Sequence, residues 1–206
     1  MSKPNTKLAV NWLYGVIAVS VLNVIISYLL ADVVISASEG AGERDALAQQ
    51  LADLLTVQSY VAIPYLIAVV GSVIIIARWI YAAARSNSES GIEGLQYSAG
   101  WAVGWFFVPV MNLFKPYLAL KEHYLARLKV DDWPSRNAMT TFHLWWGSWI
   151  ATNLLSNRSL RISMQEDLTL DAILSVSFID IGADIAQILS CLALIKIMTQ
   201  FTRGSE

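Results

Sequence analysis

The chain has 206 residues, 56% of them hydrophobic and 15% charged, with a formal net charge of -2 at pH 7. That balance is far from the mix of a water-soluble domain and points to a membrane protein. A slightly acidic chain with no long basic run excludes general nucleic-acid binding, and a single cysteine, Cys191, excludes a disulfide within the chain.

Lys3 and Lys7 precede an apolar run, interrupted by Asn11, Ser20, Asn23, Ser27 and Asp32, that predicts a first membrane span over about 9–36. The run exceeds the roughly 7 to 15 residues of a signal-peptide core, so a retained span is expected. Glu39 to Gln50 reads as a glycine-containing turn, and Leu47, Leu51, Leu54 and Leu55 recur at helical spacing as an amphipathic lead-in. A second span is expected over about 60–82, with Arg78, Trp79, Tyr81 and Arg85 collecting at its exit as aromatic and basic anchors do. Ser86 to Gly100 is a polar linker.

The stretch 101–117, Trp101 to Tyr117, is apolar but short for a full span and carries Pro109 at its centre. Proline removes a backbone donor and bends a helix. The segment therefore reads as re-entrant or broken, buried among neighbouring helices that satisfy its backbone. Pro116 then opens a helix over 117–129, with Tyr117, Leu118, Lys121, Tyr124, Leu125 and Leu128 on one stripe and Glu122, His123, Arg127 and Lys129 on the other. That pattern predicts an interfacial amphipathic helix, ended by Asp131, Asp132 and Pro134. A third span, about 138–156, carries Trp145, Trp146 and Trp149; Asn157 to Asp171 reads as a polar loop; and a fourth span is expected over about 174–199. Cys191 lies within it as a small core residue.

Basic residues choose between topologies. If 101–117 dips and returns, one face holds Lys3, Lys7, Arg78, Arg85, Lys115, Lys121, Arg127, Lys129, Arg136, Lys196 and Arg203, while Arg44, Arg158 and Arg161 face the other way. A complete crossing divides them almost evenly. The expected fold is an all-α polytopic bundle: a single membrane domain over 1–206, four transmembrane helices, a proline-broken re-entrant segment, and both termini in the cytosol.

The run Gly104-Trp105-Phe106-Phe107-Val108-Pro109, then Asn112-Leu113, Pro116-Tyr117 and Glu122, resembles a bacterial membrane family known as domain of unknown function 4328. Arg78, Tyr81 and Asn87 upstream and Trp145 and Trp146 downstream fall where that family carries such residues, and the resemblance covers roughly 60–200. Phe106 and Phe114 stand where tryptophan is expected, and Val110-Met111 replaces Ile-Ala. The resemblance implies a multi-pass protein of the bacterial cytoplasmic membrane and supplies no catalytic residue.

Two sites stand out. Asp180 and Asp184 lie four apart on one helix face with Gln187, and intramembrane carboxylates are costly enough to mark ion routes or paired charges. Such a stripe suits a small oligomeric channel or transporter; the plainer reading pairs the carboxylates with Arg158, Arg161 or other helices' asparagines. Asn112 and Lys115, with Arg78, Lys121 and Arg127, suit an anionic lipid headgroup or a partner protein, or else Lys115 only reaches for water and Asn112 satisfies backbone freed by Pro109. Gly147 and Ala151 permit close helix approach, within the chain or in a dimer. His123 and His143 form no second histidine pair for haem, and no hydrolase, zinc or nucleotide pattern occurs. A non-enzymatic protein without cofactor or metal is expected, its partners being lipid and a second copy or another membrane protein.

Overall fold

The computed structural model describes residues 4–40, 42–128, 139–165 and 169–203. Its regular structure among these is helical: α1 (Thr6–Ser38), α2 (Arg44–Glu89), α3 (Ala99–Gly104), α4 (Lys115–Arg127), α5 (Thr140–Ser163) and α6 (Leu170–Arg203). Two one-turn 3-10 pieces, Trp105–Phe107 and Met111–Leu113, separate α3 from α4. Three helices, α1, α2 and α6, are long and apolar enough to cross a membrane, for about 20 residues at 1.5 Å each span the hydrocarbon core. The helical membrane class expected from the sequence is therefore present; α5, expected as a fourth span, is not among these three.

Several boundaries differ from expectation for identifiable reasons. The lead-in at 44–59 and the start of the linker join the second span in one helix, Arg44–Glu89, which runs through Pro64. At its far end Arg85 and Glu89, four apart, pair at 2.7 Å and extend it past the apolar residues. Likewise the expected loop after Ser156 is helical to Ser163. There the Asn157 side chain donates to the Asn153 carbonyl (2.8 Å) and the Ser163 hydroxyl to the Ser159 carbonyl (3.1 Å), so polar residues prolong the turn they were expected to end. Lys3, Lys129, Asp131, Asp132, Pro134 and Arg136 lie outside the described residues.

α1 buries one face. Ala9, Leu13, Val16, Ser20, Ser27, Leu30 and Val34 are buried at spacings of three, four or seven, the period of a helix packed on one side.

The described residues gather into two compact units. One takes Met1–Tyr14, Val70–Gly147 and Ser190–Glu206; the other takes Gly15–Val69 and Ser148–Leu189. The first has an aromatic core of Trp79, Tyr124, Phe142 and Phe201. Trp79 packs edge-on against Phe201 at 5.4 Å, and its indole N–H donates to the Thr6 hydroxyl (3.0 Å), which shares a 2.7 Å bond with Thr202. Tyr124 lies against Phe142 at 5.0 Å and donates its hydroxyl proton to Gln200 (2.8 Å). Buried aromatics that also find polar partners hold both area and orientation. The second unit is more polar inside: Ser20, Ser27, Thr152, Ser159, Ser177 and Asp184 are all buried. Thr152 donates to the Ala183 carbonyl (3.3 Å), and Leu155 rests against Gly182.

Gly71 shows why a glycine stands in the middle of α2: a Cβ there would overlap the Trp12 ring. Replacing it with valine, Gly71→Val, must push that indole aside, an overpacking change that typically costs about 1–3 kcal/mol. We expect a lower thermal midpoint in detergent together with altered tryptophan emission; an unchanged midpoint would show that the Trp12–Gly71 contact contributes little.

Candidate functional site

The broken segment is built around Pro109 and Val110. Val110 has φ 65° and ψ -46°, the only described non-glycine residue with positive φ, and the Met111 N–H donates to the Pro109 carbonyl at 2.7 Å. This is a γ-turn of the positive-φ kind, strained for any β-branched residue. The surrounding backbone donors find local partners: Asn112 N–H to Val108 (2.9 Å), Leu113 to Val110 (3.2 Å), Phe114 to Met111 (3.2 Å). The sequence predicted that neighbouring helices would bury this segment, and they do so only in part: Ala102 and Pro116 are buried, but the apolar tip is not. Trp101, Phe107, Val110, Leu113 and Phe114 are all exposed, Phe107 at 71% and Val110 at 65%. Because short local turns satisfy the backbone, the apolar side chains are free to point outward.

Polar bonds from neighbouring elements hold this wedge. Trp146 of α5 donates its indole N–H to the Leu113 carbonyl at 2.7 Å. Glu122 of α4 accepts the backbone N–H groups of Gln96 (2.8 Å) and Tyr97 (3.0 Å), fixing the loop that leads into α3. Ser98 then caps α3 by accepting from Trp101 N–H at 3.4 Å. Asn87 of α2 donates to the His123 carbonyl at 2.7 Å.

These contacts correct the reading of α4. The polar stripe expected to face outward is turned in: Glu122 and His123 are buried, as are Tyr124, Leu125 and Ala126, so the helix is packed on several sides. An amphipathic pattern misleads when a polar side chain is buried because it bonds backbone groups of a neighbouring segment. Burial pushes the Glu122 carboxyl up, against the two N–H donors that pull it down. Burial lowers His123 from 6.5 to about 4, leaving it neutral.

The basic residues fare differently from one another. Lys115 holds its ammonium over the Tyr97 and Trp105 rings at 5.5 and 5.7 Å. Arg127, expected on the docking face, is turned toward the protein, over the Phe201 ring at 5.8 Å with Nη1 3.4 Å from Ser90. Arg78 is exposed, and Lys121 and Asn112 are half-buried. Trp145 and Trp146 are buried packing residues, His143 stacks on Tyr117 at 5.9 Å, and Cys191 is buried. A Cβ on Gly147 would meet nothing within 4 Å, so close packing within the chain does not account for that glycine.

In the other unit Asp184 is buried and Asp180 and Gln187 are half-buried on the same face of α6. Ser159 of α5 bonds to Asp180; Ser20 and Asn23 of α1 and Tyr65 of α2 are the polar groups facing Asp184. Of the partners expected, Arg158 and Arg161 are exposed, and the asparagine alternative is represented by Asn23. Ser20 and Asn23 were visible in the sequence only as interruptions of an apolar run; their spacing of three, one turn of the helix, was the available signal.

Residues 42–203 match the domain of unknown function DUF4328. The chain belongs to the DUF4328 family. The match begins earlier than the 60–200 expected and covers most of both units. No curated protein and no solved structure matches the chain. Every residue that carried the resemblance, from Arg78 to Trp146, falls in the unit that holds the wedge.

His123 supplies a pH test. A histidine held near 4 when folded but titrating near 6.5 when unfolded binds fewer protons in the folded state between those values. Stability is then full above 6.5 and falls as pH drops toward 4, by about 2 kcal/mol at pH 5. Glu122 acts oppositely, its contribution being lost as pH rises above 4.5. Thermal midpoints of the DUF4328 protein should fall between pH 7 and pH 5 more steeply than those of His123→Gln; equal slopes would mean His123 titrates freely.

Proposed function

We propose that this DUF4328 protein is a non-enzymatic, multi-pass protein of the bacterial cytoplasmic membrane that grips anionic lipid at its cytosolic face through the Pro109 wedge. In this reading α1, α2, α5 and α6 cross the bilayer, both termini are cytosolic, and the wedge enters the inner leaflet and returns. The observation that carries it is Val110: a strained turn that glycine would occupy at lower energy instead presents an exposed, apolar, β-branched side chain. Phe107, Leu113 and Phe114 extend that apolar tip. Irregular backbone with exposed side chains is unsuited to the hydrocarbon centre and suited to the headgroup boundary. Lys115, at the base of the tip, supplies positive charge, and Arg78 and Lys121 on the same unit add to it. Each basic residue near an anionic surface contributes about 1 kcal/mol. Arg127 is left out because it is engaged internally.

The test separates lipid contact from folding. Val110→Gly should keep the turn and leave the thermal midpoint equal or higher, while lowering the phosphatidylglycerol that remains bound to the purified protein in native mass spectra. Lys115→Glu with Lys121→Glu should lower it about tenfold or more. Retention unchanged in both variants would overturn lipid binding.

Topology has its own check. In a Cys191→Ser background, Glu93→Cys and Lys121→Cys should react with a membrane-impermeant thiol reagent only when the cytosolic side is open. Reaction from opposite faces would overturn the returning wedge.

A further inference from the structure

The unit formed by Gly15–Val69 and Ser148–Leu189 contains a buried acid with no counter-charge. Asp184 is 3% exposed and Ser20, which faces it, is 0% exposed. Asp184 Oδ1 and Ser20 Oγ are both buried without a hydrogen-bond partner. The other groups facing the carboxyl are Asn23 of α1, Tyr65 of α2 and the carboxyl of Asp180 one turn away on α6; Asp180 in turn is bonded by Ser159 of α5. None of these is basic. Among the described residues the ion pair is that of Arg85 with Glu89, in the other unit, and the arginines nearest in sequence on α5, Arg158 and Arg161, are exposed.

Ser20, Tyr65 and Asp184 each lie near the middle of a helix long and apolar enough to span a membrane. An ionised carboxylate at such a place needs a positive charge beside it, because its own hydration has been removed. Among the described residues no such charge is provided there. They provide oxygen: a carboxylate, a serine hydroxyl, a tyrosine hydroxyl and an asparagine amide, a donor set suited to a proton or a small hard ion and unsuited to soft metals. We infer that Asp184 and Ser20 form an exchangeable monovalent-cation site, occupied by a proton or by Na+ between α1, α2 and α6. Asp180 is bonded by Ser159, which leaves Asp184 as the carboxylate with a buried unpartnered oxygen and one positive charge as its match; the Asp184 and Ser20 oxygens are the atoms such an ion would join. The site is independent of the wedge and of lipid binding.

A hydrophobic carbodiimide tests this in the full-length protein in nanodiscs, since it adds to a protonated carboxyl in apolar surroundings. Peptide mass spectrometry should find the adduct on Asp184, forming at least tenfold more slowly at pH 9 than at pH 6, retained in Asp180→Asn and lost in Asp184→Asn. If 100 mM NaCl, against choline chloride at one pH, slows labelling severalfold, Na+ and the proton share the site, and Ser20→Ala should weaken that protection. If labelling depends on pH and ignores Na+, the occupant is a proton. Labelling of Asp180 in place of Asp184, labelling independent of both pH and Na+, or no adduct at any pH overturns the site. Because wild-type protein gives the deciding result, a variant that fails to fold does not obscure it.

Discussion

One carboxylate organises the unit that carries the family's residues. Glu122 sits buried on α4 and accepts two consecutive backbone N–H groups, those of Gln96 and Tyr97, from the loop before α3. The buried group here is the carboxylate, which must find donors or lose free energy comparable to a hydrogen bond, while Gln96 is exposed and Tyr97 half-buried. By accepting both N–H groups on one side chain, α4 ties the linker down before the chain turns into the wedge. Ser98 then starts α3, and Trp146 closes the far side by donating to Leu113. The wedge is held by polar contacts at its base while its tip makes few.

That division explains what could and could not be read in advance. Long apolar runs announced α1, α2 and α6, because length and hydropathy decide membrane helices almost alone. The broken character of 101–117 was legible from Pro109 and from its length. What failed was the assumption that such a segment must be sheltered: local 3-10 and γ-turn bonds satisfy its backbone, and its apolar side chains face out. The same limit affects α4. Glu122 and His123 looked like a solvated stripe because periodicity records polarity and not the donors that polarity answers. Only the fold reveals that Glu122 serves Gln96 and Tyr97, and that Asn87 bonds the His123 carbonyl.

The acidic site was legible in part. Asp180 and Asp184 stood out at once, but their surroundings come from three other helices, and pairwise partners across a bundle leave little trace in one sequence. Arginines or asparagines of other helices were the expected neighbours; Asn23 is found there together with hydroxyl groups, and the arginines are exposed. The two candidate sites thus have different characters. One is an exposed apolar tip with basic residues on its unit, the other a closed nest of oxygen atoms, and they belong to separate compact units.

α2 carries a consequence for biogenesis. No residue in its most apolar eighteen-residue window is buried by the rest of the chain. A helix in that position owes its place in the bilayer to its own partitioning, and association with other helices can come afterwards. α6, with Asp180 and Asp184 inside its apolar run, is poorly suited to enter lipid by itself. Synthesis order therefore favours assembly: the helices bearing Ser20, Asn23 and Tyr65 leave the ribosome before α6 and can wait in the bilayer as a receptive surface for it.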